Sequence, residues 1–451
     1  MHPADQPPTI FALSSAPGRA GVAVVRISGR QAHAVIDHMA GPRPSARVAA
    51  YRYIRHLKTG EKLDRGVVLW FPAPGSFTGE DVAELHIHGG RAGVQAVLQA
   101  LAIIPGLRPA EPGEFARRAF ENGRIDLAEV EGLADLIDAE TEAQRRQALS
   151  QATGVLSGLY EGWRTTLIDA LALIEAGLDF ADEGDIGERT FQDATAIIRT
   201  LARAVTHHLE DGHRGEILRD GFRVALTGPP NVGKSSLLNA LARRDAAIVS
   251  AEAGTTRDVI EVRLDLGGYP VIVSDTAGIR EATGVVEEEG IRRSLLTARA
   301  ADVVVWLMDA QAPQSVLPPE LAAVADRTLL VLNKVDLLGD DGGEVPPLPD
   351  DTLGISVKIG TGLSALIGRL EVIAAERIGH LGVPAITQVR HRRLIETCAA
   401  SLGAFLEGPA SDVELRAEDL RRAADALGRI TGRVDVEDVL DQVFKRFCLG
   451  K

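Results

Sequence analysis

Gly228-Pro-Pro-Asn-Val-Gly-Lys-Ser235 is the stretch whose residue types and spacing point most directly to chemistry. It fits G-x-x-x-x-G-K-[ST], follows the apolar run Arg223 to Leu226, and precedes helical residues from Ser236 to Ala242. In such a loop, backbone N–H groups and a helix N-terminus cradle phosphates. Lys234 then reaches the β and γ oxygens, and Ser235 holds Mg2+.

Three further stretches follow in the order a guanine-nucleotide site needs. Asp275-Thr-Ala-Gly278 comes after an apolar strand, so Asp275 reaches Mg2+ through water and Gly278 can turn its N–H to the γ-phosphate. Asn333-Lys-Val-Asp336 ends another strand, and Ser356-Val-Lys358 is placed to back the base. A carboxylate at Asp336 accepts both the N1–H and the 2-amino group of guanine. Adenine offers neither donor and would leave that carboxylate unpaired. Gly254-Thr-Thr-Arg-Asp258 offers Thr256 as a second Mg2+ ligand.

The hydrolytic water poses a difficulty. Many small GTPases place Gln directly after D-T-A-G, whereas here the position is Ile279. Glu281, Glu287, Glu288 and Glu289 follow, and for any one of them a solvated acidic turn is the simpler reading. Arg257 and Arg280 flank the site, but either serves equally as a surface ion pair.

The elements that must position these residues change in character along the chain. Its 451 residues exceed one hydrophobic core, so two or three domains are expected. The first ~120 residues are rich in Gly, Pro and short β-branched runs such as Val22 to Ile27 and Val67 to Phe71, an α+β pattern. Residues 125–215 are nearly free of Pro and carry Ala, Leu, Glu and Arg at helical spacing. From Gly221 strands alternate with helices, the runs Arg223 to Leu226, Val271 to Val273, Val303 to Leu307 and Thr328 to Leu332 reading as buried parallel strands. Helical composition returns beyond Gly382, through Arg392 to Leu406 and Leu415 to Leu427. An α/β domain inserted into one helical domain accounts for that order. Gly339 to Asp351 reads as a surface loop.

Composition sets further bounds. The formal net charge of −14 argues against a protein whose main surface is a nucleic-acid stripe, while leaving room for a local basic patch or a partner. Two cysteines, Cys398 and Cys448, do not make a disulfide framework. No apolar run of about 18 residues reads as a membrane span, and Met1 to Thr9 lacks a signal-peptide core, so a cytoplasmic location is expected.

The chain from Ala16 to Lys451 resembles the MnmE (TrmE) family of tRNA-modification GTPases. The likeness rests on Pro17-Gly-Arg, Arg26-Ile-Ser-Gly29, Phe77-Thr-Gly-Glu-Asp81, Glu84-Leu-His-Ile-His-Gly-Gly90 and Pro112-Gly-Glu-Phe115. Arg118-Ala-Phe120, Asp126-Leu127 and the terminal Phe447-Cys-Leu-Gly-Lys451 extend it. The resemblance implies a multidomain α/β protein with four segments. Residues 1–121 would be an N-terminal α+β folate-binding and dimerisation domain, and 122–217 the first part of a split helical-bundle domain. Residues 218–377 would be an inserted Ras-like, doubly wound P-loop G domain, and 378–451 the second helical part with the C-x-G-K terminus.

The same resemblance implies GTP contacts from Asn231, Val232, Gly233, Lys234, Ser235 and Ser236, and from Ser250, Thr255 and Thr256. It adds Asp275, Thr276, Ala277 and Gly278, then Asn333, Lys334, Asp336, Ser356, Val357 and Lys358. K+ would be held by Asn231, Ser250, Glu252 and Thr255, standing where an arginine finger stands elsewhere. Glu287 would orient the water, and Mg2+ would lie on Ser235 and Thr256. A 5-formyltetrahydrofolate-type donor would contact Arg26, Glu84, Arg124 and Lys451, although the family often has Lys where this chain has Arg124. Read alone, Arg26 and Glu84 suit an ordinary ion pair, and His86 with His88 has no third metal ligand at a recognisable spacing. Cys448 is either a nucleophile or a small residue packed beside the ligand.

The implied activity is K+-stimulated GTP hydrolysis by a homodimer. With a FAD-dependent MnmG/GidA-like partner, it drives carboxymethylaminomethyl addition at the wobble uridine of certain tRNAs. Two rivals stay open: a ribosomal-RNA-binding switch, which should carry a basic module, and a folate sensor with a decayed GTPase. The intact Lys234, Ser235, Thr256 and Asp275 argue against decay.

Overall fold

The structure is a computed structural model that describes residues 7–179, 184–244, 246–248, 261–275, 295–313, 317–338, 349–379, 385–409 and 412–434, with 440, 443–445, 447 and 450. The chain divides into two compact units, one of Met1–Ala134, Gln151–Arg164 and Asp425–Lys451, the other of Asp135–Ser150 and Thr165–Ala424.

In the first unit, the middle strands alternate buried and half-buried residues along much of their length, as expected where one sheet face is packed more deeply than the other. The strands are β1 (Thr9–Leu13), β2 (Ala23–Ser28), β3 (Ala50–Arg55), β4 (Lys62–Phe71), β5 (Val82–Ile87) and β6 (Leu107–Pro109). They lie in the order β3-β4-β5-β2-β1-β6, antiparallel except for the parallel pair β1–β6. Val25, Ile27, Val68, Leu85 and Ile87 form the packed face with Ile36 and Met39 of α1 (Ala32–Met39) and Val97 and Leu101 of α2 (Arg91–Ala102). Each such side chain contributes about 1.5–3 kcal/mol by leaving water. The run from Val22 begins its strand one residue later than the sequence suggests, with Val22 itself 56% exposed.

Beyond this sheet, α3 (Glu114–Glu121) and α4 (Leu127–Asp138) pack Ala116, Leu127 and Val130 against Phe444 and Phe447 from near the C-terminus. Gly113 has φ +70°, and a Cβ there would lie 2.4 Å from the Phe444 carbonyl oxygen. Any other residue would push the C-terminal segment away.

The helical composition of 125–215 is realised as α4, α5 (Glu142–Ala152), α6 (Val155–Asp179) and α7 (Gly184–Asp220). No helix among the described residues is long and apolar enough to cross a membrane.

The second unit contains a sheet of another kind. Its strands are β7 (Phe222–Thr227), β8 (Glu261–Leu266), β9 (Tyr269–Asp275), β10 (Val303–Asp309), β11 (Thr328–Asn333) and β12 (Leu353–Gly354). β10 is buried at six of its seven positions, VVVWLMD. Val303, Val305 and Leu307 enter one core with Leu237 and Leu241 of α8 (Lys234–Ala242) and with Leu363 and Leu366 of α9 (Leu363–Ile378). Val304, Trp306 and Met308 enter another with Leu321 and Val324. Successive side chains point to opposite faces, so an unbroken apolar strand requires cover on both. The order is β12-β11-β10-β7-β9-β8, parallel apart from β8 against β9.

All four runs read as buried parallel strands lie in β7, β9, β10 and β11. Helices α10 (Val389–Glu407) and α11 (Val413–Thr431) follow the sheet. Arg392 of α10 pairs with Glu216 of α7 at 2.8 Å. Cys398 is fully buried, and burial pushes its thiol up to about 12, which keeps it protonated and unreactive at neutral pH.

Candidate nucleotide and sheet-face sites

Gly228, the first residue after β7, has φ +143°, and a Cβ there would lie 2.3 Å from the Leu307 carbonyl oxygen. Only glycine lets the chain turn that close to β10. At the other end of the loop Gly233 has φ +99°, where a Cβ would meet the Asn333 side-chain nitrogen at 2.5 Å. Asn231, between them, adopts φ +63°, which Asn tolerates better than most residues. Gly233 ends the loop so that α8 starts at Lys234, two residues earlier than the composition indicates. The first-turn N–H groups of α8 have no acceptor within the helix, and a phosphate satisfies both them and the helix dipole.

Lys234 is 7% exposed, and its ammonium donates to the carbonyls of Gly228 (2.8 Å) and Pro229 (2.9 Å). Burial holds its pKa below the ordinary lysine range, while the charge of Asp275 pulls the other way. The Ser235 hydroxyl donates to Oδ2 of Asp275 at 2.6 Å, at the end of β9. A hydroxyl and a carboxylate oxygen in contact at a helix N-terminus are hard oxygen donors of the kind Mg2+ takes.

The base end is tied to the phosphate loop through the Asn333 side chain. Asn333 donates from Nδ2 to the Val232 carbonyl (2.8 Å) and accepts the Val357 N–H (3.2 Å). Asp336 accepts the Ser356 hydroxyl at 2.6 Å through Oδ1. Lys358 and Ser236 are exposed beside these groups.

Asp309 lies outside the sequence motifs yet joins these groups. Its register partner is Asn333, and its Oδ2 lies 2.6 Å from the Lys334 ammonium, which also donates to the Asn231 carbonyl at 3.0 Å. That contact holds the Asp309 carboxyl below its ordinary range. Its signal was present: an acid closing an apolar strand, in line with the strand that carries Asn333 and Lys334.

Thus Asn231, Val232, Gly233, Lys234, Ser235, Asp275, Asn333, Lys334, Asp336, Ser356 and Val357 come together. Ser250, Glu252, Thr255, Thr256, Thr276, Ala277, Gly278, Glu287, Cys448 and Lys451 lie outside the described residues.

In the first unit Arg26 and Glu84 stand directly opposite each other on β2 and β5, paired at 3.0 Å on the face away from α1 and α2. Glu84 also meets His86 Nε2 at 3.0 Å, and the Arg26 guanidinium lies 5.7 and 5.8 Å from the Phe77 and Phe115 ring centres. The stem of Arg124 flanks Gly79, and its side chain is exposed. Ser14 donates to the Gly450 carbonyl at 2.7 Å. Since Ala12 is the register partner of Arg26, the C-terminal backbone lies beside the strand next to that pair. His88 meets Asp64 at 2.8 Å rather than His86, and no group of three metal-ligating side chains gathers among the described residues.

Family models match nearly the whole chain. The GTP-binding protein TrmE N-terminus matches residues 9–124, and the MnmE helical domain matches 127–448. A protein of Parvibaculum lavamentivorans named tRNA modification GTPase MnmE is 55% identical, over 98% of this chain and 100% of its own. The chain belongs to the MnmE family.

Proteins of the same name from Rhodospirillum rubrum and Maricaulis maris are 52% and 51% identical, each over 98% of this chain and 99% of their own. As an MnmE-family member the chain is a GTPase that takes part in tRNA modification. The Arg26–Glu84 pair falls in the TrmE N-terminal span, and the phosphate loop in the span of the helical-domain match.

Proposed function

We propose that this GTPase is stimulated by K+. With a FAD-dependent partner of the MnmG/GidA type, it drives addition of a carboxymethylaminomethyl group to C5 of the wobble uridine, position 34, of certain tRNAs. The observation that carries this reading is the assembly of Lys234, Ser235, Asp275, Asn333 and Asp336 around one loop, in a chain with Ile279 where many GTPases have Gln.

Lys234 binds the β and γ oxygens, the α8 N-terminus holds the phosphates in line, and Asp336 selects guanine. Ser235 and Thr256 would hold Mg2+, which shields the phosphate charge when bound. Asn231, Ser250, Glu252 and Thr255 would hold K+, whose positive charge serves where a finger arginine serves elsewhere. Glu287 would orient the attacking water in place of Gln.

We further read the chain as three structural parts. They are a folate-binding and dimerising domain (1–121), a helical domain split between 122–217 and 378–451, and an inserted G domain (218–377). The Arg392–Glu216 pair, which joins helices on either side of the second sheet in sequence, supports the split. Arg26, Glu84, Arg124 and Lys451 would take the folate. The paired guanidinium and carboxylate, ringed by Phe77 and Phe115, suit the donor and acceptor edge of a pterin. A homodimer in the cytoplasm completes this reading, with Cys448 either reacting or packing beside the ligand.

GTP turnover in K+ and in Na+ buffers of equal ionic strength tests the reading. K+ alone should raise turnover at least tenfold, and equal rates would remove the cation site. In the same assay Glu287→Ala should bind GTP normally yet hydrolyse it about 10²–10⁴-fold more slowly, the span of a lost general acid–base group. Wild-type turnover would take Glu287 out of the mechanism.

A further inference from the structure

The sheet of the first unit packs one face on α1 and α2, while its other face is covered at β1, where Ile10 and Ala12 meet Phe115, and is open towards β3. Register places Tyr51, Val67, His86 and Val24 in one row across β3, β4, β5 and β2, and Arg26, Glu84 and Leu69 in the next. Side chains opposite one another share a face, so Tyr51 stands on the open face with Arg26. Tyr53 follows two residues after Tyr51 and pairs with Arg65.

At the β3 edge the open face is aromatic and basic. Tyr51 is 61% exposed and Tyr53 39%. The Arg65 guanidinium lies 4.6 Å from the Tyr51 ring centre and 4.9 Å from that of Tyr53. Lys62 and Arg55 add cations 4.5 and 5.6 Å from the Tyr53 ring. Between Tyr51 and Gly66 the chain has five Lys or Arg against two acids, in a protein of net charge −14. One of those acids, Asp64, is engaged by His88. A cluster of fixed cations around exposed rings matches a polyanion that also carries flat bases.

We propose that the Tyr51–Tyr53–Arg65 edge is an RNA-docking surface for an unpaired stretch of the tRNA substrate. Arg55, Lys62 and Arg65 contact phosphates, and the tyrosine rings stack on bases. The net charge of −14 gives the chain as a whole no attraction for RNA, so a local cluster of cations has to supply it. The assignment is independent of the folate reading, because it uses the β3 edge, two strands away from Glu84 on β5.

The test is fluorescence anisotropy of a labelled, unmodified tRNA transcript and of a single-stranded oligoribonucleotide with the full chain. Lys62→Glu with Arg65→Glu should weaken both at least tenfold and flatten the dependence of log affinity on log salt by about 1 to 2. Tyr51→Ala should weaken binding about tenfold at unchanged salt slope, since a lost stack removes no counterion release. GTP turnover and sedimentation should stay as in wild type. Unchanged RNA affinity in the double variant overturns the proposal. So does a changed sedimentation coefficient accompanying the loss, because β3 would then be an edge that pairs with a second copy of the chain.

Discussion

Asp336→Asn lowers GTP affinity by roughly 10³-fold and moves the preference to xanthosine triphosphate. In the structure Oδ1 of Asp336 is held at 2.6 Å by the Ser356 hydroxyl, so the carboxylate is oriented before any base arrives. Guanine gives it two donors, and each lost charged hydrogen bond costs about 1.5–3 kcal/mol. Asparagine replaces one acceptor with a donor that clashes with the guanine 2-amino group and suits the xanthine 2-oxo group. Titration with labelled GTP and XTP checks this, and GTP affinity within about threefold of wild type would refute the role of Asp336.

Lys234→Met separates stability from function. The side chain of Lys234 is 7% exposed, and burial holds its pKa below the ordinary value. For a base shifted down, the unfolded chain holds the proton more tightly than the folded one. The cost to stability is therefore present at neutral pH and disappears only as pH rises above the ordinary lysine value, near 10.4. Methionine fills similar volume without charge, so the melting temperature of the nucleotide-free protein should hold or rise. GTP hydrolysis should fall about 10²–10³-fold, the scale of removing one preorganised donor from a developing phosphate charge. A large drop in melting temperature, or hydrolysis near the wild-type rate, would contradict this account. The Gly228 and Pro229 carbonyls hold the ammonium within the loop.

Local residue patterns determined much of this protein by themselves. An unbroken apolar run such as Val303 to Leu307 has to be a strand covered on both faces. Gly228, Gly233 and the Lys234-Ser235 pair have to be a turn into a helix, since their geometry depends on neighbours within a few residues. The motifs of the nucleotide site and the family are legible for the same reason.

What lies far apart in sequence was decided only by tertiary structure. Asp309 joined the candidate nucleotide site because β10 and β11 are in register, which brings it to Lys334. Gly450 meets Ser14 across 436 positions, and Gly113 packs on Phe444 without room for a Cβ, contacts that no local pattern specifies. The composition averages charge over the whole chain and shows no basic module, yet the pleat sends Tyr51, Tyr53 and Arg65 to one side of one edge. A face is a property of strand pairing, and pairing partners are chosen by the fold.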